Sequence, residues 1–315
     1  MANPRALLKR RGSITNTRKI TKTMEMVATA RLARAHQAAV AARPYARGLE
    51  ELIADLSADA DSFSHPLLQA HPHPKRAAVV VITSDRGLCG AFNSNIVRQA
   101  RDLREELAGH GLEAEFVAHG RKAAAAMKRA GWKVTKAYVG VSDKPAYARA
   151  DEIGSALIAR YAAGELDEVH VVYSSFASRT AQVPCVTRIL PMAAPAGWCG
   201  PSDRKGPQGP PSAQAPALGG GAEAGSRRRA WYLFHPGAAH ILAAVLPLAV
   251  KNGIFAAMLE TCAGEHAARR VAMKNATDAA DDMIGSLTRQ YNRARQYKIT
   301  QEIAEIVGGV EAQGV

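Results

Sequence analysis

Hydrophobic and polar positions along the chain change pattern twice. Between Pro4 and Pro44 there is no proline and one glycine, Gly12. The larger apolar residues there, Ile14, Ile20, Met24, Val27 and Leu32, are sparse among Lys, Arg, Thr and Ala. Pro4 suits the first turn of a helix and Pro44 a terminator, so a single helix is expected between them. At ~1.5 Å per residue it makes a rod of roughly 60 Å. So thin an apolar stripe cannot build a core alone and is expected to share a seam with another helix.

The middle of the chain alternates short apolar runs with amphipathic ones. Strands are predicted at Ala77–Thr83, Glu113–His119, Val134–Val141, Glu168–Phe176 and, at a sheet edge, Pro184–Leu190. Helices are predicted at Ile96–Leu107, Lys122–Ala130 and Tyr147–Tyr161. Strand and helix in alternation at this spacing imply a parallel sheet with helices on both faces, a doubly wound α/β domain. Residues 193–229 then break the pattern with Pro, Gly, Ala and Ser, the composition of a disordered excursion.

The last segment has no proline from Ile254 to Gly308. His266, Arg270, Met273, Thr277, Ala280, Ile284, Leu287, Tyr291, Ala294 and Lys298 recur at alternating steps of four and three, a heptad seam. Its members are small or polar as often as aliphatic, which suits a close-packed antiparallel pair. About 55 residues of helix extend ~80 Å, longer than a compact domain needs.

Composition sharpens this picture in one respect. The chain of 315 residues carries a net charge of +13, with 47% hydrophobic and 5% aromatic residues. The excess is concentrated: residues 1–50 hold 11 Lys/Arg against 2 acids, and residues 260–315 hold 7 against 8. An acidic partner is implied, whether nucleic acid, an anionic membrane or acidic protein. Cys89, Cys185, Cys199 and Cys262 show no metal spacing, so neither a zinc site nor a disulfide framework is expected. The longest apolar stretch, Ile241–Val250, is about half of the ~20 residues a membrane span requires. No secretory or transit segment is recognisable ahead of the N-terminal helix.

Candidate chemistry is thin. Ser84–Gly90 follows the first strand, where doubly wound folds bind ligands, but neither the dinucleotide nor the P-loop glycine spacing is present. A hydrolase using Ser84 or Cys89 lacks an identifiable partner histidine, and a structural turn or protein-contact loop is the stronger reading. Lys9, Arg10, Arg11, Arg18, Lys19 and Lys22 could neutralise phosphates, yet they lie on several helix faces with no aromatic residue interleaved. Asp281 and Asp282 diverge by ~100° on a helix and read as a solvated face. Glu302 and Glu305 share a face near a helix C-terminus, where acids are disfavoured by the dipole and hint at a partner surface. The Arg227–Arg229 triplet reads as a solvated loop end.

Three ordered segments carry a family resemblance: ITNTRKITKTMEMVATARLARA (Ile14–Ala35), SDRGLCGAFN (Ser84–Asn93) and EHAARRVAMKNATDAADDMIGSLTRQYNRARQYKITQEIAEIVGG (Glu265–Gly309). Together they resemble the γ subunit of the F-type ATP synthase over nearly the whole chain apart from 193–229. The resemblance implies a shaft of two terminal helices in an antiparallel coiled coil, with a Rossmann-like α/β domain at its foot. It divides the chain into a shaft helix at 1–60, the foot at 75–192, the insertion at 193–229 and a second shaft helix at 230–315. It implies a bacterial, peripheral inner-membrane protein on the cytoplasmic side. Its expected partners are the α, β, ε and δ subunits and the c ring, with no nucleic acid, no cofactor and no catalysis of its own.

Residue roles follow from the same resemblance. Met24 lies in the MEMVA motif beside the acidic lever of β. Arg295 and Gln296 match a pair that hydrogen-bonds a catch loop on β. Thr300, Glu302 and Glu305 match positions that couple the tip to efficiency. Arg269 matches an arginine that interacts with the Met24 and tip regions. Asp85, Arg86, Gly87, Leu88, Cys89 and Gly90 look like the collar loop. Arg270 departs from the family's usual methionine at a seam position, and His235 replaces the usual acid of the YxFEP motif.

Overall fold

A computed structural model of the chain describes residues 4–59, 65–140, 142–143, 145–176, 182–192 and 238–314. The insertion at 193–229, the Arg227–Arg229 triplet, Cys199 and His235 lie outside the described residues. The elements are α1 (Pro4–Asp59), β1 (Arg76–Ile82), α2 (Phe92–Gly109), β2 (Glu113–His119), α3 (Arg121–Arg129), β3 (Val134–Tyr138), α4 (Tyr147–Ala162), β4 (Glu168–Phe176), β5 (Gln182–Leu190) and α5 (Ala238–Gln313).

The strands form one sheet in the order β3-β2-β1-β4-β5. β1 pairs in parallel with β2 and β4, and β2 with β3, while β5 runs antiparallel to β4 at the edge. β1 is central, and its unbroken apolar run is explained by burial on both faces. Alternate residues divide between two cores. Ala77, Val79 and Val81 pack with Ile96, Ala100 and Leu103 of α2 and Met127 of α3. Ala78, Val80 and Ile82 pack with Ile153, Leu157 and Tyr161 of α4 and with Leu242, Leu246, Val250 and Ile254 of α5. The lower part of α5 is apolar enough, by length and composition, to cross a membrane. Here those residues cover the sheet.

The upper part of α5 leaves the sheet and pairs with α1. Thr21 and Thr277 share a buried hydrogen bond of 2.8 Å, Arg18 pairs with Asp281 at 2.6 Å, and the Arg11 guanidinium lies 5.7 Å from the centre of the Tyr291 ring. As residue number rises on one helix it falls on the other, so the pair is antiparallel. The seam predicted on α5 is the inward one: His266, Met273, Thr277, Ala280 and Leu287 are buried, and Arg270, Ile284, Tyr291 and Ala294 partly so. Arg270 keeps part of its surface in water, so its charge is not enclosed. Lys298 is exposed, because α1 ends at its level.

Two expectations are corrected, the end of α1 and the end of β3. Pro44 does not end α1, which continues to Asp59. A proline inside a helix forfeits one hydrogen bond, a cost of ~3 kcal/mol, and the packing of Leu49 and Ile53 on the sheet core offsets it. Pro247 is likewise inside α5, which begins 16 residues before Ile254. The apolar stripe of α1 does share a seam with α5, with Leu32 buried and Ile14 and Met24 partly so, and small residues complete it. The buried positions are Leu7, Thr21, Ala28, Leu32 and Ala39, on heptad spacing, whereas Ile20, Met26 and Val27 are exposed. Small residues let the two backbones approach, and Ile20, Met26 and Val27 are turned outward. β3 stops at Tyr138, because Gly140 adopts φ +79° and turns the chain.

Gly120 joins β2 to α3 at φ +100°, and a Cβ there would lie 2.3 Å from the Thr83 carbonyl oxygen. Gly120→Ala is expected to destabilise the chain by about 2–4 kcal/mol. Gly12→Ala, in open space on α1, is expected to be neutral or to stabilise by up to ~1 kcal/mol. Urea unfolding of the full chain, followed by circular dichroism, checks the contrast.

Candidate functional site

β1 is the strand from which the connections turn in opposite directions, toward β2 on one side and β4 on the other. The loop 84–90 leaves its carboxyl end and so occupies the topological switch point, where ligands bind in open α/β sheets. In this chain the loop directs its polar groups inward. The Asp85 carboxylate accepts hydrogen bonds from the backbone N–H groups of Arg121, Gly140 and Ser142, each at 2.9 Å. Its own N–H donates to Ser142 Oγ at 2.9 Å. Burial works to raise the Asp85 pKa, but the backbone hydrogen bonds outweigh it and hold the carboxyl at about 2.

Neither nucleophile reading survives this geometry. Ser84 Oγ donates toward Arg86 O at 2.6 Å or Asn93 Oδ1 at 2.9 Å, and its N–H also donates to Asn93 Oδ1. Both acceptors belong to the loop and the start of α2, and no described hydrogen bond joins Ser84 to a histidine. The Cys89 thiol is buried, receives Asn93 Nδ2 at 3.1 Å and is pushed up in pKa by burial, which disfavours a thiolate. Leu88 is the loop's outward apolar side chain. It is 61% exposed and holds a left-handed φ of +64°, uncommon for a branched apolar residue.

A second set of polar contacts ties this loop to the rod. Arg269 on α5 is buried, pairs with Glu265 at 2.6 Å, and donates from Nε and Nη2 to Gly87 O at 3.3 and 3.2 Å. Its Nη1 lies 3.3 Å from His266 Nδ1. Asp143, in the turn between β3 and α4, pairs with Arg31 of α1 at 3.0 Å and Arg86 of the loop at 3.5 Å. Both helices, the loop and the β3–α4 turn therefore meet in one polar junction. Burial raises the Glu265 carboxyl against the pull of Arg269. Burial, reinforced by Arg269, lowers His266 to about 4, so the imidazole is neutral near pH 7.

The structure distributes the sequence-predicted residues along the molecule. Asp85 to Gly90 and Arg269 share the junction. All the described hydrogen bonds of Arg269 go to Gly87, Glu265 and His266, and none to Met24 or the tip. Met24 is partly buried one heptad from Arg31, ~10 Å along the rod. Arg295, Gln296, Thr300, Glu302 and Glu305 are exposed ~30 Å or more beyond Met24. There Thr300 Oγ1 donates to Gln296 O at 3.0 Å, Lys298 pairs with Glu302 at 3.4 Å and Gln301 donates to Glu305 at 2.9 Å. Sequence reasoning missed Arg31, Asp143 and Glu265. Their partners lie across the fold, and only the near-alternation of charge in Glu265-His266-Ala267-Ala268-Arg269, an i, i+4 pair, could have flagged one of them.

A long two-helix rod standing on a small doubly wound α/β foot defines a central-stalk class of protein. Solved structures of that class share the fold: a chain of the Euglena gracilis mitochondrial ATP synthase OSCP/F1/c-ring structure aligns with TM-score 0.62 at 19% identity, covering 98% of this chain and 94% of that one. A chain of the Tetrahymena thermophila mitochondrial central stalk and c-ring structure aligns with TM-score 0.56 at 20% identity, over 82% and 99%. The family model described as ATP synthase matches residues 3–313. The ATP synthase gamma chain of Pelotomaculum thermopropionicum is 40% identical over 313 residues, and that of Gemmatimonas aurantiaca 39% over 312, each covering 99% of both chains. The chain belongs to the ATP synthase gamma chain family, which makes it a rotor subunit within an ATP-synthesising, ion-transporting complex. Nothing in these relatives supports the nucleic-acid reading of the basic helix.

Two predictions follow from the junction. The depressed Asp85 pKa stabilises the fold fully above its ordinary value near 3.8, and this is lost as pH falls from there through about 2. Asp85→Asn is expected to cost about 1–3 kcal/mol at pH 7 and less at pH 3. Urea titrations at both pH values measure this, and an equal gap at the two would refute it. Arg269→Ala leaves Glu265 enclosed without its cation, at an expected cost of about 3–5 kcal/mol. Arg269→Lys is expected to recover little, since one ammonium cannot grip both Glu265 and Gly87 O as the guanidinium fork does. Hydrogen exchange at Leu88–Gly90 should quicken in both variants.

Proposed function

We propose that the chain is the non-catalytic shaft of a bacterial ATP synthase. In this reading residues 1–60 and 230–315 form the shaft, 75–192 the foot, and 193–229 an insertion of the foot. The shaft turns inside a hexamer of α and β subunits, where ATP chemistry resides, and the foot meets ε and the c ring, with δ in the same complex. The protein reaches the cytoplasmic side of the cell membrane only through that assembly.

One observation carries this reading. α5 outruns α1 by about 15 residues, ~22 Å of unpaired helix. On it Ile299, Ile303, Ile306 and Val307 are 47–67% exposed. An isolated helix bearing such residues gains little from propensity alone and is expected to be enclosed by a partner. A surrounding sleeve of subunits supplies that enclosure. The exposed Ile20, Met26 and Val27 on α1 extend the same demand down the rod.

Residue roles complete the proposal. Arg295 and Gln296 provide directional hydrogen bonds to a loop of β that form in one rotary state and break in the next. Thr300, Glu302 and Glu305 couple the tip to the sleeve, and Met24 passes the acidic lever of β. Loop 85–90, with Leu88 outermost, forms the collar against β. Arg269 acts from within, bracing that collar on α5.

The purified chain is expected to show no ATPase and to restore cooperative ATPase when mixed with α and β; failure to join their hexamer would sink the reading. Gln296→Leu is expected to leave the fold intact and lower coupled ATP synthesis several-fold. Synthesis at the wild-type rate in inverted vesicles carrying that variant would remove the role assigned to the catch position.

A further inference from the structure

Seven described residues have a positive φ, and six of them are glycines. The seventh is Leu88, at φ +64°. A left-handed backbone crowds the Cβ of an L residue against a carbonyl oxygen, and glycine alone avoids the cost. A branched apolar residue held this way needs a compensating contact. Its own chain supplies little of one, because Leu88 is 61% exposed.

Both neighbours of Leu88 are held in place. The Gly87 carbonyl oxygen accepts two hydrogen bonds from Arg269, at 3.3 and 3.2 Å. Cys89 is buried, its Sγ accepts from Asn93 Nδ2 at 3.1 Å, and its carbonyl oxygen accepts from the Phe92 N–H at 3.3 Å. Between these two fixed residues the leucine side chain stands outward. Its place continues the exposed apolar side of the rod. Asp143 pairs with Arg86, two residues before Leu88, and with Arg31 of α1. Val27, 48% exposed, lies one helical turn from Arg31 on the same face of α1. A partner lying along that face meets this loop at the base of the rod.

We propose that Leu88 is a preorganised anchor, its backbone held left-handed so that its side chain enters an apolar pocket on the β subunit set against this loop. This rests on the shaft reading and deepens it, naming the side chain that carries the collar's grip and the chemistry of the pocket that takes it. Because the conformation is already set in the free chain, docking has no loop ordering to offset at this position.

Leu88→Gly, Leu88→Asn and Leu88→Met in the full chain test the anchor. Glycine and asparagine both accept a left-handed backbone without offering an apolar side chain, whereas methionine keeps one. In urea unfolding, Leu88→Gly is expected to be at least as stable as wild type, since the strain is relieved. A loss of stability would show that Leu88 packs within its own chain and would overturn the proposal. In a competition, limiting α/β hexamer is offered equal amounts of wild-type and variant chain. Wild type is expected to enter in roughly 10-fold or greater excess over Leu88→Gly and over Leu88→Asn, the effect of burying one leucine side chain. Its excess over Leu88→Met is expected to stay within ~3-fold, because the two side chains are close in volume. Equal entry of wild type, Leu88→Gly and Leu88→Asn overturns the anchor and leaves the shaft reading standing. Exclusion of Leu88→Met as strong as that of Leu88→Asn also overturns it, because the contact is then not apolar. Wild type that enters no hexamer overturns both.

Discussion

The molecule is registered on one continuous helix. The lower face of α5 is bound to the sheet by Leu242, Leu246, Val250, Ile254 and Met258, and the same helix then runs on as half of the rod. At ~25 cal/mol per Å² of apolar surface removed from water, a few such residues fully buried outweigh the loss of one hydrogen bond at Pro247. Because the helix is unbroken between foot and rod, a twist applied at the sheet reaches the far end through backbone hydrogen bonds. Everything that a shaft must do rests on that continuity.

The seam above the foot is built for closeness more than for bulk. Ala28 and Ala39 on α1, with Ala263, Ala267 and Ala280 on α5, leave the two backbones near one another. Polar members are satisfied across the seam, as Thr21 and Thr277 are. A seam of this kind contributes less burial than one of leucines, and the rod draws part of its order from the foot and, in the proposed assembly, from its surroundings. The outward placement of Ile20, Met26 and Val27 belongs to the same arrangement.

Where rod meets foot, charge replaces apolar packing. Arg269 and Glu265 are enclosed together, and Asp143 draws Arg31 and Arg86 to one point. Buried ion pairs contribute little net stability but fix geometry, since removing one partner strands the other. Here the geometry fixed is that of the loop 84–90 relative to both helices. The polar groups that a nucleotide-binding fold of this outline would turn toward phosphate are turned inward, to Arg121, Gly140, Ser142 and Arg269. The switch point of the sheet has become a bracket.

Much of the fold was legible in the residues because its causes are local. The run Ala77–Ile82, the heptads from His266 and the turn glycines depend on periodicity and backbone preference. The motifs that carry the family resemblance were legible for the same reason, being contiguous. The rest was settled by contacts between distant positions. Pro44 looks like a terminator until the packing of Ile53 is known. The seam of α1 could be read from hydrophobicity only in part, because alanines and a threonine face inward beside Leu7 and Leu32 while Ile20 faces out. Arg31 meets Asp143 across 112 residues, and Arg269 meets Gly87 across 182. The sequence by itself determined two long helices around an α/β foot. Tertiary structure alone decided which residues of α1 meet the seam of α5 and which polar groups are enclosed, because burial and ion pairing are properties of neighbours in space, not of neighbours along the chain.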